Sequence, residues 1–217
     1  MKKKLVGLLL IIFFSCGCTS IESQSYEDII DSALRNTIRT TNITRAGYKY
    51  YLPQGMRLIE YEGSNEIISH NNDTYYLYVD YVSYYNKVVE EYEEKTDVVY
   101  SKALKNGDSF GYIEIKNTSN DKYFIEIMYN YAKIEVIVDE EEANVAIAYA
   151  TSILSSIQYQ DTVLEGLMGD DALSANEVEH NIFESADTES EYLEIVEEYG
   201  TYEEESDSTV DPDFIRR

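Results

Sequence analysis

Tryptophan is absent from this chain of 217 residues, histidine and cysteine occur twice each, and basic residues are scarce. Each shortage narrows what the chain can do. Both cysteines, Cys16 and Cys18, lie near the start. Beyond Cys18 a disulfide, a thiolate nucleophile and a cysteine-ligated metal are all excluded, so the body must be held by its core alone. A zinc site without cysteine would need both His70 and His180 plus carboxylates, and no H-E-x-x-H spacing is present. Lys and Arg number 17 against 42 Asp and Glu, a formal charge of −25. Nucleic acid is thereby an unfavourable partner, because binding it needs Lys and Arg to displace phosphate counterions. An electrostatic grip on anionic lipid fails for the same reason. With no P-loop and no dinucleotide glycine fingerprint, no cofactor is expected.

What the start of the chain does have is an export signal. Lys2-Lys3-Lys4 is followed by Leu5 to Phe14, ten residues without a charge, and then by Ser15-Cys16-Gly17-Cys18. The run is too short to span a bilayer, which needs about 20 apolar residues. This layout resembles the lipobox signal of bacterial membrane lipoproteins. The resemblance implies that a cysteine is alkylated by diacylglycerol and becomes the new N-terminus. Cys18, preceded by Gly17, is the favoured site, with Cys16 as the alternative. Two or three acyl chains hold far better than one. The expected address is the extracytoplasmic face of a cell membrane, with the lipid as anchor.

Composition and periodicity divide the rest. Residues 1–17 read as signal peptide, 18–24 as a lipidated tether, 25–160 as an α/β domain and 161–217 as an acidic, partly helical tail. That tail carries 19 acidic and two basic residues. Ser25 to Ile38 has helical spacing, with Asp28 three residues beyond a capping Ser25. Strands are expected over Tyr48 to Leu52, Met56 to Tyr61 and Thr74 to Val82, separated by Pro53–Gly55, Gly63–Asn65 and Asn71–Asp73. Ser83 to Tyr100 reads either as a helix or as an irregular excursion ending in a short strand. Phe110 to Lys116, Lys122 to Tyr129 and Tyr131 to Val138 alternate as an antiparallel meander, with a tight turn near Asn130. On its third strand Ala132, Ile134, Val136 and Val138 share one side, and Lys133 and Glu135 the other. Asp139 is placed to cap a helix whose first turn is loaded with Glu140, Glu141 and Glu142. Ala143 to Ile157 then continues at helical spacing, its alanines suited to close packing on a sheet.

The fold class is therefore α+β: an antiparallel sheet flanked by an N-terminal and a C-terminal helix, followed by an acidic helical tail. The element order, with Leu52-Pro53-Gln54-Gly55 after the first strand and Ile153-Leu154-Ser155-Ser156-Ile157 closing the last helix, resembles the PsbP-like sandwich. That resemblance implies an accessory role in binding or assembly, with no shared catalytic site.

Motifs for chemistry are few. Gly107-Asp108-Ser109-Phe110-Gly111 matches G-x-S-x-G, but the nucleophile elbow needs a strand before the serine and a helix after it. Here a turn precedes Ser109 and an alternating strand follows. Asp139 to Glu142 and Gly169-Asp170-Asp171 lack the alternating oxygen ligands of a calcium loop. The 22 tyrosines are the remaining signal. Tyrosine suits half-buried strands, and it also stacks on sugar rings and fills protein interfaces. Tyr76, Tyr78, Tyr84 and Tyr85, with Tyr192 and Tyr199 in the tail, are the candidate interaction residues. The expected function is non-catalytic: a binding or assembly module for an envelope protein. The alternative is a lipoprotein that holds a cell-wall glycan or small solute on its aromatic face, and a serine hydrolase using Ser109 stands behind both.

Overall fold

The computed structural model describes residues 21–168, apart from 90, 119 and 120. The residues read as signal and lipobox, the tail beyond Met168, and with them Cys16, Cys18, His180, Tyr192 and Tyr199 lie outside the described residues.

Helix α1 (Tyr26–Arg35) starts where the sequence places it, because Ser25 Oγ accepts the Asp28 N–H at 3.1 Å. It ends short of the expected Ile38, where the Asn36 N–H closes on Ser32 O. Strands β1 (Ile43–Thr44) and β2 (Tyr48–Tyr50) follow. Then come β3 (Arg57–Glu62), β4 (Asn65–His70) and β5 (Asp73–Val79). The last of these stops at Asp80, whose Oδ1 accepts the Ser83 N–H at 2.7 Å and so caps a short helix, α2 (Tyr81–Asn86). Beyond an irregular strap lie β6 (Tyr100–Asn106), β7 (Ser109–Asn117), β8 (Lys122–Tyr129) and β9 (Ala132–Asp139). The chain closes with α3 (Ala143–Ser156), β10 (Gln158–Tyr159) and α4 (Asp161–Met168).

Seven strands form one antiparallel sheet in the order β3-β4-β5-β9-β8-β7-β6, and β1-β2-β10 form a small second sheet. The α+β reading holds, and the meander of β7, β8 and β9 occurs as expected. Asp139 does not cap a helix with its side chain; a 3-10 turn over Glu140–Glu142 intervenes before α3 begins.

Strand alternation decides which side chains meet which layer. Leu77, Ile134, Ile127 and Ile113 stand side by side across four strands, and Tyr75, Val136, Ile125 and Ile115 form the next row. All eight are buried. They pack into one core with Ile29, Ile30 and Leu34 of α1 and Ile147, Ile153 and Leu154 of α3. Burying each such aliphatic side chain contributes about 1.5–3 kcal/mol. Ala143, Ala146 and Ala150 are fully buried as well, and their small size lets α3 lie close to the strands. Both long helices cover the same sheet face.

The small sheet is held to that face by a buried carboxylate. Glu66 on β4 accepts the Tyr48 hydroxyl at 2.8 Å, the Tyr50 hydroxyl at 2.7 Å and Arg45 Nη2 at 3.0 Å. Burial, reinforced by the Glu66 charge, pushes both tyrosine hydroxyls far above their ordinary range. Helix α4 folds back beside this sheet. The Gln160 N–H reaches Gly47 O at 2.8 Å, and Leu164 is fully buried over Gly47. A Cβ on Gly47 would come within 2.5 Å of Leu164 Cδ2, and its φ of +92° suits glycine.

Candidate functional site

Among the described residues, the opposite face of the seven-stranded sheet carries no long helix. Residues that alternate with the core rows point to it, and register places Tyr78, Lys133, Met128 and Tyr112 in one line across β5, β9, β8 and β7. These four floor a groove of about 210 Å3. Phe110, Tyr131, Asp80, Ser83 and Val88 also line it.

Tyr131 stands where glycine is usual. The β8–β9 turn has Asn130 at φ +53° and Tyr131 at +63°, a two-residue hairpin turn that favours Asn-Gly. A bulky side chain in left-handed backbone is strained. Neighbouring groups hold the turn in place: the Asn130 N–H donates to Phe110 O, the Asp80 N–H to Tyr131 O, both at 2.9 Å, and the Tyr159 hydroxyl to Asn130 O at 2.7 Å. The result presents the Tyr131 ring edge-on to Phe110 and to Tyr84, with centroids 5.1 and 5.6 Å away.

The next row of the same face is acidic. Glu135, Glu126 and Glu114 are direct cross-strand partners, an arrangement in which like charges repel. Cations and hydroxyls offset it. Lys133 Nζ lies 2.8 Å from Glu135, and the Tyr112 hydroxyl donates to Glu126 at 2.8 Å. Glu114 receives Lys95 at 2.7 Å, Lys116 at 3.1 Å and the Tyr92 hydroxyl at 2.9 Å. Burial raises the Glu114 carboxyl, but the hydrogen bonds from Lys95, Tyr92 and Lys116 outweigh it and hold the group below the usual carboxylate range. At Glu135 burial wins over the Lys133 ammonium and the carboxyl is pushed up.

No protein-family model, curated protein or solved structure matches this chain. The chemistry of the groove therefore rests on its own residues.

Of the tyrosines singled out in the sequence, Tyr78 lines the groove and Tyr76 lies on the same face, opposite Glu135. Tyr84 sits behind the Tyr131 wall: it stacks on Tyr159 at 3.7 Å, carries Lys87 Nζ 3.5 Å above its ring and donates to Asp161 at 2.9 Å. Burial and that bond push its hydroxyl up to about 12. Tyr85 is half-buried on α2 and does not line the groove. Phe110, Tyr112, Met128 and Tyr131 were not among the expected residues. Their signal was the polar-side alternation of the meander, the same pattern that set Lys133 apart from the core.

Ser109 opens β7 directly after the Gly107–Asp108 turn of a β6–β7 hairpin, so it stands on a hairpin and not on a strand-to-helix elbow. Among the described residues, no group of three or more His, Cys, Asp or Glu side chains is arranged to hold a metal ion.

Proposed function

We propose that this chain is a lipid-anchored, extracytoplasmic binding protein without a catalytic role, and that it holds a neutral, ring-shaped ligand such as a cell-wall glycan unit in the groove of the open sheet face. The observation that carries this reading is the juxtaposition of Tyr78, Tyr112, Tyr131 and Phe110 around one cavity with Asp80 and Lys133 within it. Aromatic rings offer sugar rings a stacking surface, and a few placed polar groups orient hydroxyls. The carboxylates of Asp80, Glu126 and Glu135 outnumber Lys133 around the groove, which disfavours an anionic ligand. Anchoring is assigned to Cys18, with Cys16 as the alternative, and the PsbP-like resemblance points to the same accessory kind of role.

Titration calorimetry with neutral peptidoglycan fragments, run on the parent chain and on Tyr112→Ala, tests the ligand. Saturable heat in the parent that falls at least tenfold in affinity in the variant supports the groove; absence of binding to every neutral glycan sinks it. The anchor is tested separately. Cys18→Ser should abolish incorporation of a labelled fatty acid, and retention of label in the double variant Cys16→Ser with Cys18→Ser would remove the lipobox reading.

A second reading, a seat for a segment of an envelope protein, is favoured by the exposed Val88, which lines the groove, and its exposed chain neighbour Val89. In-cell crosslinking from position 89 would distinguish it by capturing a protein where no glycan binds.

A further inference from the structure

The two edges of the seven-stranded sheet are finished differently. At β6 the strap supplies partners: Glu94 Oε1 accepts the Ala103 N–H at 3.0 Å, and the Lys95 N–H donates to Ser101 Oγ at 2.8 Å. At β3 no such cover exists among the described residues. Ile59 and Tyr61 are 60% and 61% exposed. Arg57, Glu60 and Glu62 are exposed too, and none of the three makes an ion pair among the described residues.

An uncovered edge strand is a template for another strand, and proteins usually blunt it. Here the sequence of β3 reads as its own complement. Laid antiparallel against a second copy about a twofold axis, Arg57 falls opposite Glu62 of the other copy, Leu58 opposite Tyr61, and Ile59 opposite Glu60. Register with β4 puts Arg57 and Glu62 on the open face, and Leu58 and Tyr61 on the helix-covered face, so each of these pairs also shares a face. Two opposite-charge pairs and two apolar pairs form at once, as an isologous interface requires. The β-bulge between Leu58 and Glu60 adds selectivity. A regular foreign strand meets the extra residue out of step, whereas a second copy brings its own extra residue to the centre of the register. Tyr61, with the Arg45 guanidinium 4.2 Å from its ring on one side, gains a partner on the other.

We infer that this protein pairs with a second copy of itself through β3, with Arg57 and Glu62 as the reciprocal charge pair that sets the register. The inference is independent of what the groove holds.

Sedimentation equilibrium of the full chain in density-matched detergent, at physiological ionic strength to screen its negative charge, tests it. The parent chain is expected to be a dimer. Arg57→Glu and Glu62→Arg each place like charges opposite one another at both ends of the register, and each should weaken the dimer roughly tenfold or more. The double reversal, Arg57→Glu with Glu62→Arg, should restore it. Thermal melts of all variants show that they are folded. A parent that sediments as one chain at every concentration overturns the inference, as does a dimer indifferent to both single reversals. A folded double variant that stays monomeric overturns the register and with it the assignment.

Discussion

Tyr92 lies flat on Tyr112, with ring centroids 4.3 Å apart and planes within 7°. The same Tyr112 floors the groove, so the strap between α2 and β6 is tied to the wall of the site. The Tyr92 hydroxyl contacts Ser101 Oγ at 2.7 Å as well as Glu114, and burial with the Glu114 bond pushes it up to about 12. Tyr92→Phe keeps the stack and loses these bonds, which should cost about 1 kcal/mol in urea denaturation. Tyr92→Ala loses both, and about 2 kcal/mol is expected. Equal losses in the two variants would show that the stack contributes nothing.

The buried Glu66 is the more costly residue to disturb. Removing its carboxylate leaves Arg45 with a partly buried charge that has lost its partner, and two tyrosine hydroxyls without their acceptor. Glu66→Ala should destabilise the fold by about 3–5 kcal/mol. Tyr48→Phe, which deletes one hydroxyl and retains the ring, should cost only about 1 kcal/mol. Both follow from denaturant midpoints, and a loss in Glu66→Ala no larger than in Tyr48→Phe would contradict the pinning role of the carboxylate.

The acidic row predicts opposite pH signatures on one sheet face. A carboxyl held low, as at Glu114, stabilises the fold above its unfolded value near about pH 4.3, and this is lost as pH falls through the lower folded value. A carboxyl pushed up, as at Glu135, stabilises the fold below about pH 4.3, and this is lost as pH rises through the higher folded value. Relative to the parent, Glu114→Gln should therefore gain stability as pH drops below that value. Glu135→Gln should gain as pH rises above it. Melting temperatures between acid and neutral pH measure both slopes, and slopes of the same sign would contradict the assignment.

Tyr131 separates stability from binding. Glycine at this position relieves about 1–2 kcal/mol of left-handed backbone strain, and it removes ring contacts of about 0.5–1.5 kcal/mol with each aromatic partner. With two ring partners, Tyr131→Gly should thus leave the folding free energy between about 1 kcal/mol gained and about 2 kcal/mol lost. Its affinity for the groove ligand should fall at least tenfold. Intact binding in that variant would take Tyr131 out of the site.

Much of the scaffold was legible before any coordinates. Binary alternation in β9 is strict enough to fix which of its residues face the core, β7 and β8 read as strands of the same meander, and Ser25 with Asp28 marks the start of α1. Strand β4 was harder to see, since Ser64 to His70 reads as the end of one turn and the approach to the next. The Ser83 to Tyr100 stretch was ambiguous because it is three things in turn: a short helix capped by Asp80, an irregular strap, and the start of β6. Neither the cap nor the strap depends on periodicity; both depend on partners far along the chain.

By itself, then, the sequence determined the lack of cysteine in the body, the sheet and the helix that closes it. These are written in local composition and in periods of 2 and 3.6 residues, which act between near neighbours. The tertiary structure alone decided that both long helices share one sheet face, that Glu66 gathers Arg45, Tyr48 and Tyr50, and that Phe110, Tyr112 and Tyr131 meet Tyr78 around one groove. Such meetings depend on strand order and register, and no local pattern encodes which of many equally spaced strands will lie side by side.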